Sequence, residues 1–278
     1  MKLANLDGRA AIITDAGATD VATASAGRFG PDLTSVYDRW AAFREWAASA
    51  DTSQAAPLDP PQLRSPVPEP RQVFAIGLNY RQHAAESGMQ PPAIPATFTK
   101  FPACITGPYD DVVLPSEMVD WEIELVVVIG ERAVKVAEAD AWAHIAGYTV
   151  GQDLSERRVQ MAAGAQFSLG KSYTGFAPMG PWLVTLDEFA DPANLELGCS
   201  IDGEVMQHSR TDELIFSVPR LIAELSAVLP LLPGDIIFTG TPSGVGAARK
   251  PPRFLEPGQV LESWIEGIGS IRNRMVAS

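Results

Sequence analysis

Acidic residues alternate along one apolar segment of the chain. The segment reads VDWEIELVVVIG, and on a β-strand of period two Asp120, Glu122 and Glu124 share one face. Carboxylates spaced in this way beside a wholly apolar continuation repel each other in a low dielectric, so they need a cation. An exposed polar face on an edge strand explains the same pattern, and the segment alone leaves both interpretations open.

A further carboxylate follows a second apolar segment. In GYTVGQDLSERRVQ, Asp153 ends a predicted strand and Ser155 begins a short helix. Asp153 at this place is also explained as a cap of the helix start. Together with Glu122 and Glu124 it completes a set of oxygen ligands without Cys or His, which suits Mg²⁺ or Mn²⁺ before Zn²⁺. Three protein ligands leave about three of six octahedral positions for water and substrate, as in a catalytic metal site.

Four further polar or charged residues could act beside these acids. In FAIGLNYRQHAAESG, His83 and Glu86 lie at i and i+3 and face the same way on a helix. Such a pair is a candidate base, although a histidine so placed is commonly surface decoration. Lys100 in FTKFP and Lys171 in SLGKSYTGF lie among apolar and small residues, where a lysine either extends to the surface or faces a buried anion. The loop-like stretch GMQPPAIP after Glu86 is a candidate mobile lid.

Short strands punctuated by Gly and Pro must position these side chains. The Pro-Gly turns in LLPGDII and LEPGQVL each lead into a strand, and no GxGxxG motif or βαβ alternation is present. These features predict an α+β fold that is predominantly β. The candidate strands are 73–77, 120–129, 146–150, 182–185, 195–201, 235–239 and 259–265, and the candidate helices are 81–87, 137–143, 155–163 and 218–227.

The first 65 residues differ in pattern from the rest. A short strand pair that includes 10–14 is followed by a helix predicted over 35–49, where Val36, Trp40 and Phe43 recur at helical spacing. Next comes DTSQAAPLDPPQLRSPVPEP, whose six prolines in twenty residues indicate an extended connector. We therefore predict a small N-terminal module with its connector over 1–65 and a main domain over 66–278.

Composition excludes several classes of function. With 21 Lys+Arg against 34 Asp+Glu the formal charge is −13, so nothing favours binding to nucleic acid or to an anionic membrane surface. The two cysteines, Cys104 and Cys199, are too few for a disulfide scaffold or a cysteine zinc site. The N-terminus has no apolar signal region, and no apolar run approaches a membrane span, so we expect a cytoplasmic protein. A G-x-S-x-G nucleophile elbow and a phosphate-loop lysine are also missing.

A series of motifs resembles the fumarylacetoacetate hydrolase family over roughly residues 70–275. In chain order the motifs are GLNYRQHAAES, PATFTKFP, DWEIELVVVIG, GYTVGQDLSERRVQ, LGKSYTGFAPMGPW, IDGEVMQHSRTDELIF and LLPGDIIFTGTPSGVG. The resemblance implies a mixed β-roll, a divalent metal and a homodimer. The first 65 residues look like the small N-terminal α/β module that many prokaryotic members carry.

The resemblance also implies roles for single residues. The metal ligands match Glu122, Glu124 and Asp153, and the water-activating pair matches His83 and Glu86. Lys171 matches the active-site lysine. The residues that match the substrate-binding positions are Lys100, Arg157, Gln160 and Thr241. The hydrolase that names the family has an additional aspartate ligand shortly before its histidine, where this chain has GLNY. The pattern is therefore similar to the acylpyruvate hydrolase and oxaloacetate decarboxylase branch.

These roles suggest several reactions on a small anionic oxo acid. The leading hypothesis is hydrolysis of a carbon–carbon bond in a 2,4-dioxo acid such as fumarylpyruvate or acetylpyruvate, through a metal-bound enolate. Decarboxylation of an oxaloacetate-type 2-oxo acid and isomerisation of 2-hydroxyhepta-2,4-diene-1,7-dioate use the same enolate, and the motifs do not separate them. An alternative of another class is a non-catalytic binder of a small diacid, which would not need the pair of His83 and Glu86.

Overall fold

Strands dominate the part of the chain that the structure describes, which is residues 1–162, 164 and 166–278 of a computed structural model. The strands are β1 (Lys2–Leu6), β2 (Arg9–Thr14), β3 (Gly17–Asp20), β4 (Leu63–Arg64), β5 (Val73–Gly77), β6 (Ala96–Thr99), β7 (Ile105–Thr106), β8 (Val112–Leu114), β9 (Val119–Asp120), β10 (Ile123–Ile129), β11 (Ile145–Gln152), β12 (Ser155–Glu156), β13 (Ala177–Val184), β14 (Glu196–Ile201), β15 (Glu204–Arg210), β16 (Ile236–Phe238), β17 (Val260–Ile265) and β18 (Gly269–Ala277). The α-helices are α1 (Val21–Ala24), α2 (Leu33–Tyr37), α3 (Trp40–Ala47), α4 (Arg81–Glu86), α5 (Arg157–Ala162) and α6 (Val218–Val228). The expected α+β, predominantly β class is confirmed.

A large mixed sheet and a smaller antiparallel-rich sheet form the main body. Among the described residues, the large sheet has the order β3-β2-β1-β13-β11-β10-β16-β5-β6, with β4 beside β1 and β7 beside β13. The smaller sheet has the order β15-β14-β17-β18-β8. Strands β10, β11 and β13 pack against β14, β17 and β18, so the core lies between the two sheets.

The middle of the large sheet carries the acidic segment. All residues of β10 are buried, which explains its run of Leu, Val and Ile in place of a polar and apolar alternation. Strand β10 pairs with β11 in antiparallel register, with Ile123 opposite Gln152 and Glu124 opposite Gly151. This register brings the beginning of β10 beside the end of β11, and with them the two acidic motifs.

The strand predicted over 120–129 is interrupted at its acidic end. Strand β9 ends at Asp120 and pairs with β12, with Ser155 opposite Asp120, while β10 begins only at Ile123. The gap is stabilised by side chains, because the backbone N–H of Glu122 donates to Gln152 Oε1 at 2.8 Å and that of Ile123 to Gln207 Oε1 at 3.0 Å.

Three helix predictions differ from the structure. The helix predicted over 35–49 is two helices, α2 and α3, because Arg39 between them has φ −127° and ψ 33°, outside the helical region. The segment 137–143 is a 3₁₀-helix, Glu138–His144. Helix α5 begins at Arg157 because Ser155 and Glu156 pair as β12, and Ala163 at the predicted end lies outside the described residues.

The N-terminal segment is joined to the large sheet by hydrogen bonds. Strand β1 pairs with β13, with Lys2 opposite Val184, and Asn5 Nδ2 donates to the carbonyl of Ser65 at 2.9 Å. The aromatic side chains of Phe29, Trp40 and Phe43 belong to the same buried cluster as those of the main sheet. The division at residue 65 remains a prediction.

The helices of the described segments are short. The longest α-helix, α6, has 11 residues, whereas about 20 apolar residues are needed to cross a bilayer. None of the helices within residues 1–162, 164 and 166–278 is therefore long and apolar enough to span a membrane.

Candidate metal and oxo-acid site

Three carboxylates meet where β10 begins and β11 ends. Glu122 immediately precedes β10, Glu124 lies within it, and Asp153 immediately follows β11. The backbone N–H of Asp153 donates to the carbonyl of Glu122 at 2.9 Å, which continues the β-ladder by one step. One carboxylate oxygen from each of the three buried residues lies within 4.8 Å of the others. The structure thus brings together the three residues that the sequence predicts as metal ligands.

Two of these carboxylates have ammonium partners. Lys171 Nζ donates to Glu122 Oε2 at 2.8 Å and to Asp153 Oδ2 at 2.7 Å, and its side chain is buried with them. Burial opposes the charge of Lys171, but Asp153 and Glu122 outweigh this effect and raise the pKa of the ammonium above its ordinary value. Burial likewise opposes ionisation of Glu122, yet Lys171 and Arg157 hold its pKa below the ordinary value.

Lys100 does not line the cleft, contrary to its predicted substrate-binding role. Its side chain is fully buried behind Asp153, where Nζ donates to Asp153 Oδ1 at 2.7 Å, to the carbonyl of Phe176 at 3.2 Å and to the carbonyl of Lys171. These contacts use all three ammonium hydrogens. Of the two possibilities that the sequence left open for this lysine, the structure shows a buried anion as its partner, and that anion is the side chain of Asp153.

Arg157 is held by acids on two sides. Its Nε and Nη2 donate to Asp120 Oδ2 at 2.8 and 2.6 Å, and its Nη1 donates to Glu122 Oε1 at 2.7 Å and Gln160 Oε1 at 2.9 Å. Fully buried Asp120 also accepts hydrogen bonds from the backbone of Gly246 and Ala247. Strand alternation placed Asp120 on the acidic face, but sequence reasoning gave it no role. In the structure it orients the arginine and fixes the adjacent loop.

Glu124 is the carboxylate without a cationic partner. Its Oε2 accepts a hydrogen bond from the backbone N–H of Gly240 at 2.7 Å, and no basic nitrogen of the described residues lies within 4.0 Å of it. Burial raises its pKa well above the ordinary value, and the nearby charges of Asp153 and Glu122 raise it further. A buried all-oxygen set with one uncompensated acid fits a hard divalent cation.

His83 and Glu86 on α4 form a hydrogen-bonded pair. His83 Nδ1 lies 2.7 Å from Glu86 Oε1, as their i, i+3 spacing predicted. The two oxygens of Glu86 also accept from the backbone N–H of Gly244, at 3.1 and 3.0 Å. Because a carboxylate only accepts hydrogen bonds, Nδ1 carries the ring hydrogen and Nε2 is left as the basic nitrogen.

One cleft of about 590 Å³ joins these groups. Apart from Glu124 and Lys100, every predicted site residue contributes to its lining: His83, Glu86, Glu122, Asp153, Arg157, Gln160, Lys171 and Thr241. Apolar side chains, among them Met89, Phe98 and Phe167, form another part of the wall. The cleft therefore combines an ionic end with an apolar extension.

Comparisons with known proteins agree with this architecture. Residues 72–276 match the family profile described as Fumarylacetoacetate (FAA) hydrolase C-terminal. The chain is 47% identical over 215 residues to the mitochondrial oxaloacetate tautomerase FAHD2A of Bos taurus, which covers 76% of this chain and 68% of that protein. The human protein of the same name is 46% identical over 215 residues, with the same coverage of both chains.

Solved structures extend the likeness to the whole chain. A crystal structure provisionally named HpcE, from Mycobacterium smegmatis, has 53% identity and a TM-score of 0.96, with full coverage of both chains. Maleylpyruvate hydrolase from Sphingobium sp. SYK-6, solved in complex with manganese(II) and pyruvate, has 28% identity and a TM-score of 0.78, again with full coverage. The chain belongs to the fumarylacetoacetate hydrolase family, whose members include tautomerases, isomerases and hydrolases.

Proposed function

We propose that this chain is a divalent-metal-dependent enzyme that catalyses the keto–enol tautomerisation of a 2-oxo diacid of the oxaloacetate class. The observation that carries the proposal is the shared cleft, which is lined both by Glu122 and Asp153 of the buried carboxylate trio and by the histidine–glutamate pair. The relatives named oxaloacetate tautomerase, at up to 47% identity, support this reaction over others that use the same groups.

Glu122, Glu124 and Asp153 would hold the cation, and Mg²⁺ or Mn²⁺ fits their oxygens. When bound there, such an ion supplies Lewis acidity that favours enolisation of a chelating 2-oxo acid. The chain adds two cations around the same carboxylates, Lys171 and Arg157, so the site attracts a dianion despite a formal net charge of −13.

His83 and Glu86 supply the proton transfer. Nε2 of His83 takes a proton from C3 of the keto form, and a proton is returned to the enolic oxygen; the reverse sequence regenerates the ketone. Glu86 holds the imidazole in the required tautomer through Nδ1 and is itself fixed by the backbone of Gly244.

The remaining polar groups bind and orient the acid. Lys171 uses two of its three ammonium hydrogens on carboxylates, which leaves one for a substrate oxygen. Arg157 is occupied by Asp120, Glu122 and Gln160, so it acts chiefly as a fixed positive charge. Thr241 adds a hydroxyl to the lining of the same cleft.

An ultraviolet assay of oxaloacetate enol decay tests the tautomerase proposal. Protein loaded with Mn²⁺ is expected to accelerate the loss of enol absorbance without releasing CO₂ or pyruvate, and chelator treatment is expected to abolish the acceleration. His83→Gln should lower the rate by about 10²-fold or more, since it removes the base. Full activity in chelator, or in Asp153→Ala, would contradict the proposal.

Hydrolysis of a longer 2,4-dioxo acid is the second candidate. Its specific support is the apolar extension of the cleft, because about 590 Å³ exceeds what a four-carbon acid requires. The structurally similar maleylpyruvate hydrolase provides independent support. In this reaction Glu86 with His83 would deprotonate an attacking water.

A panel of acids separates the possible reactions. Acylpyruvates are assayed for pyruvate plus a carboxylic acid, oxaloacetate for CO₂ release, and a 2-hydroxy-dienoate for an absorbance change without fragments. Faster turnover of acylpyruvates than of oxaloacetate enol would make hydrolysis the principal activity. We also propose that the enzyme is a homodimer, which light scattering checks against the chain mass of 29.7 kDa.

A further inference from the structure

We propose that Gln207 is a positioning residue that fixes the hydroxyl of Thr241 as a hydrogen-bond donor to a carboxylate oxygen of the substrate. Gln207 lies in IDGEVMQHSRTDELIF, a motif to which the mechanism above gives no role. The inference rests on the proposed function, since it concerns the anion that the cleft binds.

Gln207 connects the smaller sheet with the beginning of β10 and with the turn that carries Thr241. It is on β15, with 1% of its surface exposed. Its Oε1 accepts from the backbone N–H of Ile123 at 3.0 Å and from Cys199 Sγ at 3.3 Å. Its Nε2 donates to Thr241 Oγ1 and to the carbonyl of Pro242, both at 2.8 Å. The amide thus has a partner at every hydrogen and on its oxygen.

These partners permit only one orientation of the amide. The backbone N–H of Ile123 can only donate, and the carbonyl of Pro242 can only accept. Rotating the amide by 180° would place its NH₂ against the Ile123 N–H and its oxygen against the Pro242 carbonyl. Because both contacts would be lost within the buried core, Nε2 must face Thr241.

The orientation of the amide decides how the hydroxyl of Thr241 is used. Since Thr241 Oγ1 accepts a hydrogen from Gln207, its own hydrogen remains for another acceptor. No residue in the described part of the chain takes that hydrogen, although Thr241 is only 3% exposed and lines the cleft. A buried, unused hydroxyl hydrogen in a cleft that Lys171 and Arg157 also line suits an anionic oxygen of a ligand.

The amide of Gln207 also fixes Thr241 relative to β10, the strand that carries Glu124. Ile123, whose N–H it accepts, lies between Glu122 and Glu124. Gln207 therefore holds the beginning of β10 and the Thr241–Pro242 turn at a fixed separation. This geometry predicts that Gln207 affects ligand binding through Thr241, and not merely through stability.

A double-mutant cycle tests this coupling. Pyruvate binding to Mn²⁺-saturated protein is measured by calorimetry for wild type, Gln207→Met, Thr241→Val and the double variant. Each single variant is expected to weaken pyruvate binding by about tenfold or more, as for loss of a hydrogen bond to a charged group. The double variant should bind no more weakly than Thr241→Val. Thr241→Ser, which keeps the hydroxyl, should retain binding.

Gln152→Met is the matched control. Gln152 is an equally buried glutamine that links β11 to Ser263, and it makes no hydrogen bond to Thr241. Its effect on pyruvate affinity should add to that of Thr241→Val. Where Gln207→Met does not fold, Gln207→Glu replaces it, because a carboxylate there draws the hydroxyl hydrogen away from the cleft and should produce the same loss.

Two outcomes would overturn different claims. If the effects of Gln207 and Thr241 substitutions add fully, Gln207 is structural and the inference is wrong, while the proposed function stands. If Mn²⁺-loaded wild type does not bind pyruvate at all, the proposed oxo-acid function fails, and the inference fails with it.

Discussion

The least compensated charge in the site belongs to Glu124. Lys171 serves Glu122 and Asp153, and Lys100 serves Asp153, while Glu124 receives only a backbone N–H. Ionisation of a carboxyl group in this position is unfavourable. Ionised Glu124 therefore lowers the stability of the metal-free protein, and a bound divalent cation would offset this loss. Glu124 is therefore expected to affect stability as well as metal binding.

Metal-free protein should lose stability as pH rises. The pKa of Glu124 in the folded state is raised above that of the unfolded chain. The stability that this shift contributes is fully present below the ordinary Glu pKa of 4.5, and it is lost as pH rises through the raised pKa. Each pKa unit corresponds to about 1.4 kcal/mol. Thermal unfolding in chelator at several pH values should show Glu124→Gln becoming progressively more stable than wild type.

Adding Mn²⁺ should reverse this difference. At a hundred times its Kd the ion stabilises the wild type by about 2.7 kcal/mol, whereas Glu124→Gln gains much less. Equal stabilisation of both proteins by Mn²⁺ would show that Glu124 is not a ligand.

Lys171→Met should destabilise the metal-free protein by about 3–5 kcal/mol, because it leaves two buried carboxylates without their shared partner. Denaturant unfolding in chelator measures the change. Arg158→Met is the control, since Arg158 pairs with Glu117 on the exposed surface, and its effect should stay within about 0.5 kcal/mol. Similar losses in both variants would argue against a charge-balancing role for Lys171.

Among the elements, helix α4 has its His83–Glu86 pair fixed by the loop that contains Gly244. The backbone N–H of Gly244 holds Glu86, and Glu86 holds His83, so the imidazole is aligned by a contact between two segments. Gly244 has φ +105°, and a Cβ added there would lie 2.3 Å from the carbonyl oxygen of Met206. A side chain at this position must displace the loop.

Gly244→Ala should therefore lower kcat by about tenfold or more while leaving Mn²⁺ affinity unchanged, because it disturbs the base and not the carboxylate trio. Steady-state kinetics and Mn²⁺ titration measure the two effects. Gly258→Ala is the control: its φ of +94° imposes similar backbone strain, but no atom lies within 4 Å of the added Cβ. Equal losses of kcat in both variants would show that backbone strain alone causes the effect, and not displacement of the loop that holds Glu86.

At the scale of the whole molecule, one hydrophobic core includes both ends of the chain. Phe29, Trp40 and Phe43 pack in the same cluster as the strands of the main domain, and β1 covers one edge of β13. A sheet edge and an apolar surface would become exposed if this segment were removed.

Removal of residues 1–65 should consequently give an aggregating protein without a cooperative thermal transition. Size-exclusion chromatography and calorimetry measure this. A monodisperse 66–278 fragment with a transition close to that of the full chain would instead support an independent N-terminal module and an autonomous main domain.

Local patterns were sufficient to predict much of this protein. The strands over 73–77 and 195–201 and the helix over 218–227 were predicted within about one residue, because each carries its own periodicity and turn residues. The meeting of Glu122, Glu124 and Asp153 followed from alternation, from the strand end and from the family resemblance. The spacing of His83 and Glu86 likewise required only one helical turn.

Other features depended on contacts between distant segments. Ser155 and Glu156 were predicted as helix, but their pairing with β9 makes them a strand, and local propensity carries no information about that partner. Lys100 was predicted to line the pocket, yet its environment is set by Asp153 and by the carbonyls of Lys171 and Phe176.

Local sequence thus establishes which chemical groups are present and which of them share a strand face or a helical turn. The packing of distant segments sets which carboxylate lacks a cation, where Lys100 points and how Gln207 orients Thr241. The physical reason is sequence separation: Gln207 meets Ile123 across 84 residues, and Glu124 meets Gly240 across 116. Such hydrogen bonds form only when the sheets pack, so no local pattern reveals them.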